Sequence, residues 1–261
     1  MRRLFPVTDR RTDPTTAPGA AGREWTLDEL ADAYAYPERE GRRWLRANMV
    51  STLDGAAQHD GRSQGISDAT DMRIFGTLRG LADAVVVGAE SVRLEGYRPA
   101  RARDAFAGRR AAAGQGPAPA IAVVSASLDL DFSLPLFVSP LVPTLVITGA
   151  AAPSDRIHAA REAGAEVLIA GDGATVDPAR AVAELAERGL TRLLTEGGPR
   201  LLGQFVAAGV LDELCLTVSP MLTAGDAQRI AQGPALAVPE RFSLLSVLEE
   251  GGFLFTRYGK G

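Results

Sequence analysis

Two hydrophobic patterns alternate along the chain. Short, unbroken apolar runs recur at Ala84-Val85-Val86-Val87-Gly88, Ile121-Ala122-Val123-Val124, Leu145-Val146-Ile147 and Val167-Leu168-Ile169. Runs this short and this rich in β-branched residues fit strands buried on both faces. Trp44 to Val50 and Leu193-Leu194-Thr195 add two more strand candidates. Between these runs the apolar positions take helical spacing. Met72, Phe75, Leu78 and Leu81 follow Asp68, which has the character of an N-cap, and further helical segments lie near 154–163 and 178–188. Strand and helix in alternation predict an α/β fold with a mostly parallel central sheet and helices on both faces. Glu213 to Ser219 and Phe253 to Thr256 alternate apolar with polar residues, so antiparallel C-terminal strands are expected there.

The first 42 residues follow neither pattern and read as an N-terminal extension; residues 43–261 read as one domain. Thr12 to Gly22 is rich in Pro, Gly, Ala and Thr, which predicts a loose segment. Thr26-Leu27-Asp28-Glu29 is a capping box, predicting a short helix to about Tyr36, ahead of Pro37. Residues 98–119 carry Arg98, Arg101, Arg103, Arg109 and Arg110 among Ala, Gly and Pro. That composition fits either a solvated loop or a basic flap beside an anionic ligand.

Composition narrows the chemistry. At 261 residues, with 46% apolar and 23% charged residues, the chain has the makings of a soluble globular protein with a substantial core. A net charge of −4 argues against general nucleic-acid binding. No apolar run approaches the roughly 20 residues that span a bilayer. The basic start Met1-Arg2-Arg3 leads into no apolar core of a signal peptide, so a cytoplasmic protein is expected. One cysteine, Cys215, and two histidines, His59 and His158, cannot make a Cys/His zinc site, and no metal is expected. Cys215 sits in a strand-like run and reads as a buried small hydrophobe.

Four segments carry candidate chemistry. Glu196-Gly197-Gly198-Pro199-Arg200-Leu201-Leu202 stands where a strand turns into a helix. Proline suits a first helical position, glycine lets a ligand approach the backbone, and the free N–H groups there attract phosphate. Gly88-Ala89-Glu90-Ser91-Val92-Arg93 repeats the arrangement of strand, glycine and helix start. Ser51-Thr52-Leu53-Asp54-Gly55 is a polar turn closing the first core strand, and Gly61 to Ser67 is a polar loop before a helix carrying Arg73 and Arg79. The dinucleotide fingerprint GxGxxG and the phosphate loop GxxxxGK[ST] are both absent, so a nucleotide site here is of another kind.

These motifs, with Gly209-Val210-Leu211-Asp212-Glu213-Leu214, resemble in order and spacing the C-terminal reductase domain of the bifunctional riboflavin-biosynthesis deaminase–reductase, over roughly residues 43–258. The resemblance implies a dihydrofolate-reductase-like fold. It also implies NADPH-dependent reduction of 5-amino-6-(5-phosphoribosylamino)uracil to the ribityl compound, by a protein that dimerises with itself. The zinc motif of the family's deaminase domain has no counterpart. A pterin or dihydrofolate reductase on the same fold, and an NADPH-binding relative without turnover, are the alternatives.

Carried over by position, the resemblance implies cofactor contacts at Ser51, Gly88, Ser91, Arg93, Ser125 and the turn Gly197, Gly198, Pro199, Arg200, Leu201 and Leu202. It implies substrate contacts at Ser63, Arg79, Arg98 (or Arg101) and Glu196, with Arg79 on the 5′-phosphate. Asp54 and Glu95 are the candidates for handling the proton. Two positions depart from the family: Gly65 stands where Trp is common, and Glu95-Gly96-Tyr97 where Asp-Asp-Pro is common. Both bear on the substrate more than on the cofactor.

Overall fold

The computed structural model describes residues 1–6, 23–38 and 42–261. The expected loose segment Thr12 to Gly22 lies outside the described residues. The strands are β1 (Arg2–Phe5), β2 (Trp44–Ser51), β3 (Ala84–Gly88), β4 (Ala120–Val124), β5 (Leu145–Thr148), β6 (Glu166–Ile169), β7 (Arg192–Thr195), β8 (Glu213–Val218), β9 (Phe242–Glu250) and β10 (Phe253–Lys260). The helices are α1 (Leu27–Ala33), α2 (Ala69–Leu81), α3 (Ala89–Glu95), α4 (Asp104–Ala112), α5 (Pro135–Val138), α6 (Ser154–Glu162), α7 (Pro178–Glu187) and α8 (Pro199–Ala207), with a 3-10 turn at Ser63–Ile66.

All ten strands form one sheet in the order β1-β9-β10-β8-β2-β7-β3-β4-β5-β6. From β8 through to β6 every neighbour is parallel; β10, β9 and β1 extend the sheet with antiparallel pairs. The unbroken apolar runs have the expected cause. Val85 and Val87 belong to one buried cluster, with Leu78 of α2, Phe106 of α4 and Leu194, while Ala84 and Val86 belong to a second, with Val182 of α7 and Phe205 of α8.

β8 departs from expectation, since it runs parallel to β2 as well as antiparallel to β10. Its alternation of buried and half-buried residues reports burial on one side, not strand direction. Segment 98–119 also departs from a plain loop, because it contains α4. Phe106 is buried against Gly80 of α2, where an added Cβ would stand 2.7 Å from the Phe106 ring. Arg110 is buried too and donates to the carbonyls of Gly80, Ala82 and Gly116 at 3.1, 2.7 and 2.7 Å. β1 and β9 were not foreseen.

The capping box at Thr26 and Glu29 forms as the residues suggest, and starts α1. At its other end, a buried ion network joins α1 to the sheet. Glu213 accepts from Arg46 at 2.9 Å, Arg257 at 2.8 Å and the Trp44 indole at 2.9 Å. Arg46 also donates to the Tyr34 carbonyl at 2.7 Å, and Arg257 donates to that of Ala33. The carbonyls at a helix C-terminus lack partners within the helix and favour cations, which is what the two arginines supply. Cys215 lies buried beside this network; burial, then the Glu213 charge, pushes its thiol up to about 12, so it is not a reactive thiolate.

Candidate active-site cleft

β7 lies between β2 and β3, so the C-terminal ends of these three parallel strands open onto one place. Ligands of open α/β sheets bind at such ends. A cleft of about 370 Å³ is found there. The end of β2, the loop after it with the 3-10 turn, one face of α2 from Asp71 to Arg79, the end of α3 and the turn between β7 and α8 line it.

The two glycine turns meet at its floor. The Gly88 N–H donates to the Gly197 carbonyl at 3.0 Å, which sets the starts of α3 and α8 side by side. Gly197 has φ +85°, and the Gly197–Gly198 peptide is cis. A Cβ on Gly198 would stand 2.9 Å from the Ser91 hydroxyl oxygen, so glycine there lets Ser91 lie close against the turn. Pro199 is the first residue of α8, as its chemistry suits. Gly198, Pro199 and Ser91 all line the cleft. Leu201 and Leu202 turn their side chains into the core, so they can offer a ligand only backbone.

On the opposite side, Arg79 and Glu196 form a two-pronged ion pair, Nε to Oε1 and Nη2 to Oε2, both at 2.6 Å. The Tyr97 hydroxyl donates to the same carboxylate, and the Arg79 guanidinium lies over the Phe75 ring at 4.5 Å. Burial alone would lower the basicity of Arg79; the Glu196 charge outweighs it and raises it. Burial, then Glu196, holds the Tyr97 phenol well above its ordinary range, so Tyr97 stays a hydrogen-bond donor. Ser63, Glu95 and Arg98 share this cleft, and neither Glu95 nor Arg98 has a hydrogen-bond or ion-pair partner among the described residues. Arg98 and Arg101 also face an adjoining pocket of about 390 Å³ between α2 and α4.

Other expected site residues stand elsewhere. Asp54 is not part of the cleft lining: its carboxylate accepts from the Thr52 hydroxyl and from the N–H groups of Thr223 (3.2 Å) and Ala224 (2.7 Å). Those bonds, that of Thr52 first, lower its pKa, which leaves it a poor proton donor. Arg93 donates to the Asp129 carbonyl at 2.7 Å, and the exposed Arg200 lies 3.9 Å from Glu90. Ser125 is buried, its hydroxyl accepting from the Leu128 N–H at 3.0 Å. Ser51 is buried at the end of β2, its carbonyl accepting from Ser219 at 2.8 Å. The cleft also takes in Tyr97 and Asp71, which sequence reasoning did not single out. Tyr97 was noted only as part of a departure from the family, and Asp71 carries no motif.

Known proteins place this cleft in context. Residues 43–251 match the family described as the RibD C-terminal domain. A pyrimidine reductase-like protein from Corynebacterium diphtheriae has the same fold, with a TM-score of 0.75 and 31% identity over 83% of this chain and 91% of that one. A 2,5-diamino-6-ribosylamino-4(3H)-pyrimidinone 5′-phosphate reductase from Methanothermobacter thermautotrophicus is 29% identical over 196 residues, covering 75% of this chain and 86% of that protein. A reductase of the same name from Aquifex aeolicus is 37% identical over 84 residues, which is 37% of its length. The α/β architecture expected from the motifs, a mostly parallel sheet with antiparallel strands at the C-terminal end, is the one observed, and the solved pyrimidine reductase-like protein shares it. By the extent of the family match and by its likeness to a solved pyrimidine reductase-like protein, the chain belongs to the RibD C-terminal domain family.

Proposed function

We propose that this protein reduces the ribosyl group of a 6-ribosylaminopyrimidine 5′-phosphate to ribityl, with NADPH, in riboflavin biosynthesis. The observation that carries this reading is one cleft with two unlike walls: a glycine-lined floor at two helix starts, and an arginine-bearing wall opposite. The names of the relatives support it. Their diaminopyrimidinone and the aminouracil expected from the sequence differ only at ring carbon C2.

The floor fits a dinucleotide. Gly198 and Ser91 line the cleft side by side, and the first turn of α8 presents N–H groups with no helical partner to a phosphate. Ser91, Gly88, Gly198 and Arg200 would hold the cofactor, with Arg93 near by. Bound NADPH supplies hydride. The protein supplies position and charge. Arg98, whose side chain has no partner among the described residues, and the outer edge of Arg79 would draw the 5′-phosphate, and Ser63 would hydrogen-bond beside them. Arg79 in turn holds the Glu196 carboxylate in place for the ribosyl hydroxyls. Hydride addition at C1′ of the ring-opened C1′=N group requires a proton on the nitrogen. Glu95, a cleft residue whose side chain has no partner among the described residues, would deliver it. Reading the chain as a homodimer rests on the family resemblance.

The test is NADPH oxidation by the purified protein with the diaminopyrimidinone, the aminouracil and dihydrofolate in parallel. Turnover of either ribosylaminopyrimidine well above dihydrofolate is expected. Preference for dihydrofolate would replace this reading with a pterin reductase, and NADPH binding without turnover would replace it with a cofactor-binding relative.

A further inference from the structure

The cleft holds one acid that the proposed reaction does not use. Asp71 is the third residue of α2, 6% exposed, and lines the cleft. Its carboxylate is held from both sides: Oδ1 accepts from the Thr217 hydroxyl at 2.7 Å and Oδ2 from the Ser67 hydroxyl at 2.5 Å. The Asp68 side chain fixes its backbone N–H at 2.7 Å. No cation pairs with it among the described residues. Burial, with a smaller push from Asp68, raises its pKa, so its charge goes largely uncompensated. A carboxylate offers about four acceptor positions, and the two hydroxyls take only two. What remains is spare acceptor capacity on both oxygens of a carboxylate that lines the cleft.

Position along α2 says which part of the ligand. Asp71, Phe75 and Arg79 are spaced i, i+4 and i+8, so they form one stripe along the helix, and all three line the cleft. Eight residues at about 1.5 Å each separate the two ends by about 12 Å. That matches the reach from the far edge of a pyrimidine ring, across an open five-carbon chain, to its phosphate. With the phosphate at the Arg79 end, the ring edge falls at Asp71.

Ring chemistry then separates the two candidate substrates. A 2-aminopyrimidin-4-one presents two adjacent donors on that edge, the ring N3–H and the 2-amino group, which a carboxylate accepts in parallel. A uracil presents N3–H beside the C2 carbonyl, which sets an oxygen against the second carboxylate oxygen. We infer that Asp71 is a specificity-determining residue: its two oxygens accept the N3–H and 2-amino donors of a 2-aminopyrimidinone ring, so this protein takes the 2,5-diamino compound in preference to its uracil counterpart. The inference rests on the reductase reading above.

The experiment compares kcat/KM for the two compounds with the wild-type protein and with Asp71→Asn. Wild type is expected to favour the diamino compound by about 10²-fold, the order that leaving a buried polar atom without its partner produces. Asparagine keeps the shape and one acceptor but places an NH₂ where C2=O can accept from it. Asp71→Asn should therefore cut the preference at least tenfold, while KM for NADPH stays unchanged. Equal use of both compounds by wild type, or preference for the uracil, overturns the role of Asp71 and leaves the reductase reading intact. An equal loss on both compounds in Asp71→Asn assigns Asp71 a structural role and also overturns it. Turnover of neither compound by wild type removes the reductase reading, and this inference with it.

Discussion

Glu213→Gln tests whether the buried ion network holds the sheet to α1. Glu213 is fully buried between Arg46, also fully buried, and Arg257, which is 13% exposed. Each carboxylate oxygen accepts from one of these guanidinium groups, and Oε2 accepts from the Trp44 indole as well. Glutamine has the same volume but keeps only one oxygen, and its amide NH₂ must face a guanidinium or the indole. Arg46 would keep the Tyr34 and Ala35 carbonyls but lose its counter-charge. Removing one partner of a buried pair costs about 3–5 kcal/mol. At roughly 2–4 °C per kcal/mol for a chain of this size, Tm should fall by about 6–20 °C.

The assay is urea unfolding followed by circular dichroism, with a thermal melt beside it. The pH dependence supplies a second arm. Burial raises the Glu213 pKa, but Arg46 and Arg257 outweigh it, so the folded value lies below the ordinary 4.5. A depressed carboxyl contributes stability above its unfolded value and loses it as pH falls through the folded value. Wild type should therefore weaken below about pH 4.5, and Glu213→Gln should weaken less steeply over that window, narrowing the gap between the two. A loss under 1 kcal/mol at neutral pH, or parallel pH profiles, would refute the reasoning.

Two further substitutions probe the cleft. Gly198→Val puts a Cβ 2.9 Å from the Ser91 hydroxyl oxygen and branches into the floor, so NADPH affinity should fall at least tenfold with little change in Tm; unchanged affinity in a fluorescence titration would move the cofactor elsewhere. Asp54→Asn keeps an acceptor for Thr223 and Ala224, so kcat/KM should stay within about threefold of wild type. A loss of a hundredfold or more would return Asp54 to the chemistry.

Much of this protein is local and therefore readable along the chain. β3 needs burial on both faces, and its valines say so without reference to any partner. The capping box of α1 is a contact within four residues, and Pro199 at the first position of α8 follows from proline's missing N–H. The two glycine turns announced themselves in the same way, as the places where chain direction changes and a side chain would obstruct. The order of these signals along the chain is enough to suggest the family.

What the chain could not show are contacts between residues far apart in it. Arg79 meets Glu196 across 117 positions and Tyr97 meets Glu196 across 99, so an arginine read as free for phosphate turns out to be half committed to an ion pair. Asp54 looked available beside its glycine until the loop at Thr223 and Ala224 folded over it, 169 and 170 positions on. Asp71 carried no motif; its meaning comes from Thr217, 146 positions away, and from the cleft it faces. α4 was hidden because its single large apolar anchor, Phe106, is recognised only against the bare backbone of Gly80. Periodicity records which side of an element is buried. Which strands adjoin, and which carboxylate faces which donor, is decided by packing, and only the tertiary structure carries it.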